Sequence, residues 1–269
     1  MARIADALRG RGLRVAMAAT TGPGEATRLA REAAEAGAEC VVVNGGDGTV
    51  NEAMQGLVGG TTPLGVWPGG TANVLARELG LPHEPDALAD VLAAGRTRRV
   101  SVGQAGQRYF LLMAGIGLDA AVVRGVSPAF KRFTGEGAYW LAGFKQLTDW
   151  RPTRFVVEVE GQVHTATFAV VANAASYGGG LRFAPLARMD DELLDLCLFD
   201  SDRRHHFARY LAAARSGAHL SLPGVTYLRS RQAVVHGGDD QYVQVDGELL
   251  GPLPVTFRSV PAALSLIVP

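Results

Sequence analysis

Apolar positions along the chain change their spacing, and the changes divide it into elements. Ile4, Ala5 and Leu8 fall on one face of a short helix that stops near Gly10 or Gly12. Leu13 to Ala19 then reads as a strand, and Ala26 to Ala36 as an alanine-rich helix closed by Gly37. A β-branched run, Val41 to Val43, gives way to Asn44-Gly45-Gly46-Asp47-Gly48-Thr49, and a helical period resumes at Val50 with Ala53, Met54 and Leu57. Pro63 to Trp67 predicts another short strand, leading through Pro68-Gly69-Gly70-Thr71-Ala72-Asn73 into a helix that reaches Leu79. Strands alternating with helices predict an α/β domain with a parallel sheet, whose ligands collect outside the carboxyl ends of the strands.

Beyond about residue 100 the period shortens to two. Arg99 to Val102, Tyr109 to Met113, Arg154 to Glu160, His164 to Ala172 and Leu193 to Phe199 read as strands, and the tail is strand-rich. Such a run predicts a mainly antiparallel β domain after the α/β domain. The boundary is placed near Arg98, giving an α/β domain over 1-98 and a β-rich domain over 99-261, with 262-269 expected to return to the first. Phe130 to Trp150 is helix-like and carries Phe133, Tyr139, Trp140, Leu141 and Phe144. Core packing is expected for most of these, with an acyl-chain cleft as the alternative.

Composition narrows the classes. At 269 residues and 48% hydrophobic, the chain can bury a sizeable core. Lys plus Arg equals Asp plus Glu at 26 each, so net charge gives no electrostatic case for nucleic acid. Cys40 and Cys197 each sit in an apolar run, which points to buried, reduced thiols of a cytoplasmic protein rather than a disulfide framework. The six histidines show no zinc-type spacing. No uncharged apolar stretch of about 18 residues occurs, and the start lacks the apolar core of a signal peptide, so membrane contact is expected to be peripheral.

The strand-to-helix turns carry the candidate chemistry. Glycines at Gly45, Gly46 and Gly48 let the backbone approach a ligand, and the unpaired N–H groups of the following helix favour a phosphate. A carboxylate there would repel phosphate, so Asp47 suits a Mg2+ ion or its bound water, or a proton taken from an attacking hydroxyl; the simpler role is a helix cap. The second turn, at Gly69-Gly70, is expected to face the same crevice. Thr49 and Thr71 offer hydroxyls at helix starts, where N-capping is the commoner task. Val243 to Glu248 has the alternation of a strand ending at a glycine turn, and Asp246-Gly247 by itself reads as a hairpin turn. Met189-Asp190-Asp191-Glu192 is an acidic turn before a strand, and Arg203 to Phe207 with Arg209 and Arg215 is a basic stretch, by default a solvated helix face and otherwise an approach to anionic headgroups.

These stretches carry a resemblance. VVVNGGDGTVNEAMQGL, PLGVWPGGTANVLARELGLP, AGIGLDAAVV, YGGGLRFAPLARMDDELLD and VQVDGE run in order from about Thr20 to Pro269 and resemble the bacterial diacylglycerol kinase and lipid kinase family, related to sphingosine kinases and more distantly to NAD kinases. The resemblance implies an NAD-kinase-like first domain and ATP- and Mg2+-dependent phosphorylation of a lipid hydroxyl such as that of diacylglycerol, in phospholipid biosynthesis. The nucleotide and catalytic groups would lie in the interdomain crevice. It implies a nucleotide site at Thr20, Gly46, Asp47, Gly48, Thr49, Val50, Asn51, Glu52 and Thr71. Glu248 would be the proton acceptor, Asp246 its acidic companion and Asp47 part of the metal network. A further metal site would use Asp191 with the backbone of Arg188 and Leu193. The protein would meet its lipid at a membrane surface, with a homodimer left open. The alternatives are a kinase of another hydroxylated molecule, NAD-kinase-like or sphingoid-type, and a non-catalytic nucleotide- or lipid-binding relative.

Two departures from the family pattern set expectations. Glu192 stands where the family has glycine, so a need for positive φ there would strain or alter the loop. Family members open with a strand and an Asn-Pro-containing glycine loop, and Met1 falls where the following helix would be under way. The first strand is therefore expected to be missing, and residues 1 to 269 are expected to show weak stability and impaired ATP binding.

Overall fold

The computed structural model describes residues 2–118, 120, 151–177, 180–238 and 240–269. The chain divides into two compact units, Met1–Val100 with Ala262–Pro269, and Ser101–Pro261. The helix-like stretch from Phe130 to Trp150 lies outside the described residues.

The first unit is α/β. Helix α1 (Ala2–Arg9) buries Ala5 and Leu8, and α2 (Glu25–Glu35) buries Ala26 and Ala30. Strand β1 (Val41–Gly45) leads into α3 (Asp47–Gln55), which turns Val50, Ala53 and Met54 inward, as their helical spacing requires. Strand β2 (Leu64–Pro68) leads into the short α4 (Val74–Glu78). β1 and β2 pair in parallel, Val41 opposite Leu64 through Gly45 opposite Pro68. The chain's last strand, β14 (Val255–Ile267), joins the far side of β2, also parallel, with Leu266 opposite Leu64. β2 is thereby flanked on both sides, and Leu64 to Trp67 are buried, the continuous apolar run of an interior parallel strand. Helix α5 (Pro85–Ala94) has no counterpart among the expected elements, although proline at its first turn and Gly95 at φ 62° after its end are the usual punctuation.

One expected strand does not form. Residues 13–20 carry no regular secondary structure, and Ala16 to Thr20 are exposed. An extended apolar segment becomes a strand only where a neighbouring edge accepts its hydrogen bonds. Among the described residues none pairs with it, and β1 has a strand partner on one side only.

The second unit is a two-sheet β structure. Strands β3 (Thr97–Ala105) and β14 contribute residues to both units. A six-stranded antiparallel sheet has the order β10-β9-β8-β5-β12-β13, from β5 (Met113–Ile116), β8 (Phe168–Ala172), β9 (Leu194–Phe199), β10 (Val225–Ser230), β12 (Tyr242–Val245) and β13 (Glu248–Pro252). A second antiparallel set joins β7 (Gln162–Ala166), β6 (Phe155–Val159), β11 (Gln232–His236) and the first part of β14, while β4 (Arg108–Phe110) hairpins with β3. Phe110, Val157, Val171, Leu196, Val235 and Phe257 belong to one buried core. The opposite residues of the six-stranded sheet, among them Phe168, Val170, Cys197 and Phe199, pack with Phe207 and Tyr210 of α6 (Arg204–Ala214). Both faces of β8 and β9 are covered, which is why FAVVA and LDLCLF lack polar alternation.

Two expected strands are each broken in two. His164 to Ala172 divides at Thr167, whose hydroxyl donates to the carbonyls of Phe199 (3.1 Å) and Ser201 (2.8 Å) as the chain passes from one sheet to the other. Tyr109 to Met113 divides at Leu111-Leu112 for the same reason. A period of two cannot reveal a change of sheet, because the residues stay extended through it. No described helix is long and apolar enough to cross a membrane.

Candidate functional site

In the first unit the two glycine turns touch. The amide of Gly69 donates to the carbonyl of Gly45 at 2.9 Å. A Cβ on Gly70 would stand 2.5 Å from the Cα of Gly46, so the two backbones pass at a distance only glycine allows. Asn73, at φ 46°, brackets the second turn, accepting from the Gly70 amide (2.9 Å) and donating to the Gly70 carbonyl (2.8 Å). Asp47 links the turns: its Oδ1 accepts the N–H of Leu75 at the start of α4 (3.2 Å), and its other oxygen has no hydrogen bond among the described residues. α3 starts from an extended Gly46 with no side-chain cap, and its first intrahelical bond is Val50 N–H to Gly46 O (3.1 Å). The N–H groups of Asp47, Gly48 and Thr49 therefore have no intrahelical acceptor and carry the positive end of the helix dipole.

The remaining first-unit candidates separate into two kinds. Thr20 and Thr71 are exposed, and Thr49 is half-buried against Gly45. Val50 and Asn51 are only 2% and 3% exposed, so their side chains face the interior and only backbone is left to meet a ligand. Glu52 joins α3 to the start of α2, its carboxylate accepting from the Gly24 amide (3.0 Å) and its carbonyl from the Thr27 hydroxyl (2.7 Å).

In the second unit β12 and β13 form the hairpin expected at Asp246-Gly247, with φ of 46° and 83°, the twist-compatible pair that Asp-Gly supplies. The Asp246 carboxylate is half-buried. It accepts three backbone N–H groups, from Leu111 (2.8 Å), Leu112 (3.1 Å) and Met113 (2.9 Å), where the chain crosses from β4 to β5. Asn173, fully buried, holds the same crossing from below by donating to the carbonyls of Leu111 (2.8 Å) and Ser101 (3.0 Å). Glu248 begins β13 with its side chain 40% exposed and ion-paired to Arg108. Arg108 and Asn173 escape sequence reasoning. Arg108 lies at a polar hairpin tip with no telling spacing, whereas Asn173, a lone amide ending the apolar run from Phe168, is a signal that could have been read.

The acidic turn is filled by arginines. The carboxylate of Asp191 accepts the Leu193 N–H (3.0 Å) and is ion-paired with Arg229; Asp190 takes the fork of Arg188 (2.9 and 3.0 Å); Glu192 pairs with Arg231. Glu192 is not among the residues at positive φ, so it stands in the loop without that backbone strain. The metal site expected from Arg188, Asp191 and Leu193 does not fit a divalent cation as arranged, because its one carboxylate is already engaged on both oxygens. Among the described residues no group of three His, Cys, Asp or Glu side chains is arranged to hold a metal. Cys40 and Cys197 are free thiols, half-buried and buried respectively, and burial pushes both thiols above their ordinary range.

Comparison with known proteins returns two adjoining matches. The model described as the diacylglycerol kinase catalytic domain matches residues 1–105, and the one described as the YegS C-terminal NAD kinase beta sandwich-like domain matches residues 113–268. A diacylglycerol kinase of Bacillus subtilis (strain 168) is 32% identical over 257 residues, spanning 93% of this chain and 84% of that protein. One of Mycobacterium tuberculosis (strain ATCC 25618 / H37Rv) is 34% identical over 255 residues, spanning 91% and 82%. A crystal structure of a diacylglycerol kinase from Bacillus anthracis str. Sterne shares the fold, with TM-score 0.70 at 21% identity over 93% of this chain and 83% of that one.

Proposed function

Because the chain belongs to the family of diacylglycerol kinases and YegS-like lipid kinases, we propose that it transfers the γ-phosphoryl group of ATP to a lipid hydroxyl, that of diacylglycerol in the first instance. The observation that carries the nucleotide half is the uncapped start of α3 held against the second glycine turn. Three backbone N–H groups, at Asp47, Gly48 and Thr49, are oriented by the helix for phosphate oxygens, and no Cβ from Gly46 or Gly70 obstructs them. The exposed hydroxyls of Thr20 and Thr71 supplement them. Asp47 has one carboxylate oxygen committed to Leu75 and the other available, which suits a residue holding Mg2+ or its water rather than one moving freely to take a proton. When bound, Mg2+ neutralises phosphate charge that these donors only partly offset.

Glu248 is the proton acceptor in this reading. Its carboxylate is accessible and held in place by Arg108, so it can accept the proton of an attacking hydroxyl while the guanidinium steadies the oxygen not in use. Asp246 acts differently from Glu248. With three N–H groups on its oxygens it is a positioning residue that fixes the hairpin carrying Glu248. The acceptor lipid resides in a bilayer, and Arg203 just before α6 with His205 and Arg209 on it are exposed beside a buried Phe207 and Tyr210, a surface suited to anionic headgroups at a peripheral contact.

Radiolabel transfer from ATP with MgCl2 to vesicles containing diacylglycerol, phosphatidylglycerol or a sphingoid base, with NAD as a soluble acceptor, tests the proposal. Label in phosphatidic acid is the expected result. Label in NAD alone, or in none of the four, would overturn it.

A further inference from the structure

The loop 188–193 poses a charge problem that the fold has already solved. It brings three consecutive acidic residues, Asp190, Asp191 and Glu192, up to β9, whose Asp195 is fully buried. Each acidic side chain of the loop meets an arginine, and the central pairing is built into the sheet. Arg229 lies directly opposite Asp195 in the antiparallel register of β10 and β9, and its Nε donates to Asp195 Oδ1 at 3.1 Å. The same guanidinium reaches Asp191 with its Nη2. Tyr227, two residues earlier and on the same face, donates its hydroxyl to Asp195 Oδ1 at 2.8 Å. One planar fork thus spans two carboxylates from two elements, an arrangement that a lysine ammonium would not reproduce.

The loop backbone is tied down by hydrogen bonds. The Ser101 amide donates to the Met189 carbonyl (2.7 Å) and the Ser101 hydroxyl to the Asp191 carbonyl (2.5 Å), while Leu193 N–H closes onto Asp191 Oδ1 (3.0 Å). Glu192, in place of the glycine that the family pattern has, adds an acid and pairs it with Arg231 just past the end of β10. Tyr227, Arg229 and Arg231 therefore present alternate side chains along one strand and its extension, matched to the acids across from them. A divalent cation coordinating Asp191 would first have to displace Arg229, and would leave that guanidinium beside Asp195 alone. Mg2+ also demands near-octahedral oxygen ligation, and Asp191, the one side-chain ligand of the expected set, is already bonded on both oxygens.

We infer that Arg229 is the resident cation of this loop, standing where a divalent metal would otherwise neutralise Asp191, so that folding of 188–193 is independent of Mg2+. The inference is separate from the kinase reading and holds whichever acceptor is used. Thermal unfolding of the full chain without nucleotide, in EDTA and then in millimolar MgCl2, tests it in the unmodified protein, in Asp191→Asn and in Arg229→Gln. A metal bound well above its dissociation constant raises Tm by several degrees. The unmodified protein is expected to shift by less than about 1 °C, or to shift equally in Asp191→Asn. Arg229→Gln is expected to melt lower in EDTA and to recover several degrees in MgCl2. A rise in the unmodified protein that Asp191→Asn abolishes would overturn the inference, as would a folded Arg229→Gln indifferent to MgCl2. Should Arg229→Gln fail to fold, calorimetric titration of MgCl2 into the unmodified protein and Asp191→Asn decides: matching heats support the inference, and heat lost with Asp191 refutes it.

Discussion

Two carboxylates two positions apart, Asp246 and Glu248, look alike in sequence and are opposite in surroundings. Asp246 is saturated with backbone donors, and Glu248 is accessible and paired with one arginine. Replacing Asp246 with Ala strands three N–H groups at the β4–β5 crossing, at about 1–3 kcal/mol for each that finds no new partner. Asp246→Ala should therefore lower the denaturation midpoint clearly, by roughly 3 kcal/mol or more. Glu248→Gln breaks a half-exposed ion pair worth at most about 1 kcal/mol, so its melting temperature should stay close to that of the unmodified protein. If Glu248 takes the proton, that folded variant should transfer phosphate about 10²–10⁴-fold more slowly. An Asp246→Ala protein of unchanged stability, or a Glu248→Gln protein of unchanged rate, would reverse these assignments.

At the level of elements, the contact between the glycine turns is a tight geometric demand in the α/β unit. A methyl group on Gly70 would press against backbone, which cannot swing aside as a side-chain tip can. Gly70→Ala should cost about 2 kcal/mol in stability and weaken ATP binding together with it, because separating the turns also tilts the start of α3. Gly22→Ala, in the loop before α2, has nothing within 4 Å of the added methyl and no positive φ, so it should match the unmodified protein in both denaturation and nucleotide titration. The strand expected at Leu13 to Ala19 belongs to the same scale: apolar spacing supplied the tendency, and among the described residues no strand pairs with the segment.

For the molecule as a whole, each of the two units carries one of the two thiols. Cys197 lies on β9 among Phe168, Phe199 and Tyr210, and burial pushes its thiol far up, whereas Cys40, before β1, is half-buried. Native labelling with a thiol reagent, read by peptide mass spectrometry, should modify Cys40 first. Cys197 should react only across the unfolding transition of the second unit. Modification of Cys197 at the native rate of Cys40 would mean that the helix-covered face opens without unfolding.

Much of this was legible in order along the chain. The α/β-then-β division, the strand–glycine–helix turns and the Asp246-Gly247 hairpin follow from local causes: spacing of apolar side chains, the freedom of glycine, and the turn preference of Asp-Gly. What the tertiary structure decided depends on partners remote in sequence. Only folding set Gly70 against Gly46, turned Asp246 onto Leu111 to Met113, and laid Arg229 across from Asp195 and Asp191. An acidic turn in sequence looks like a cation site, because its carboxylates are visible and two of the arginines that neutralise them, Arg229 and Arg231, lie some forty residues away. Sequence spacing determines which side chains share a face, while the pairing register of strands determines which charges meet.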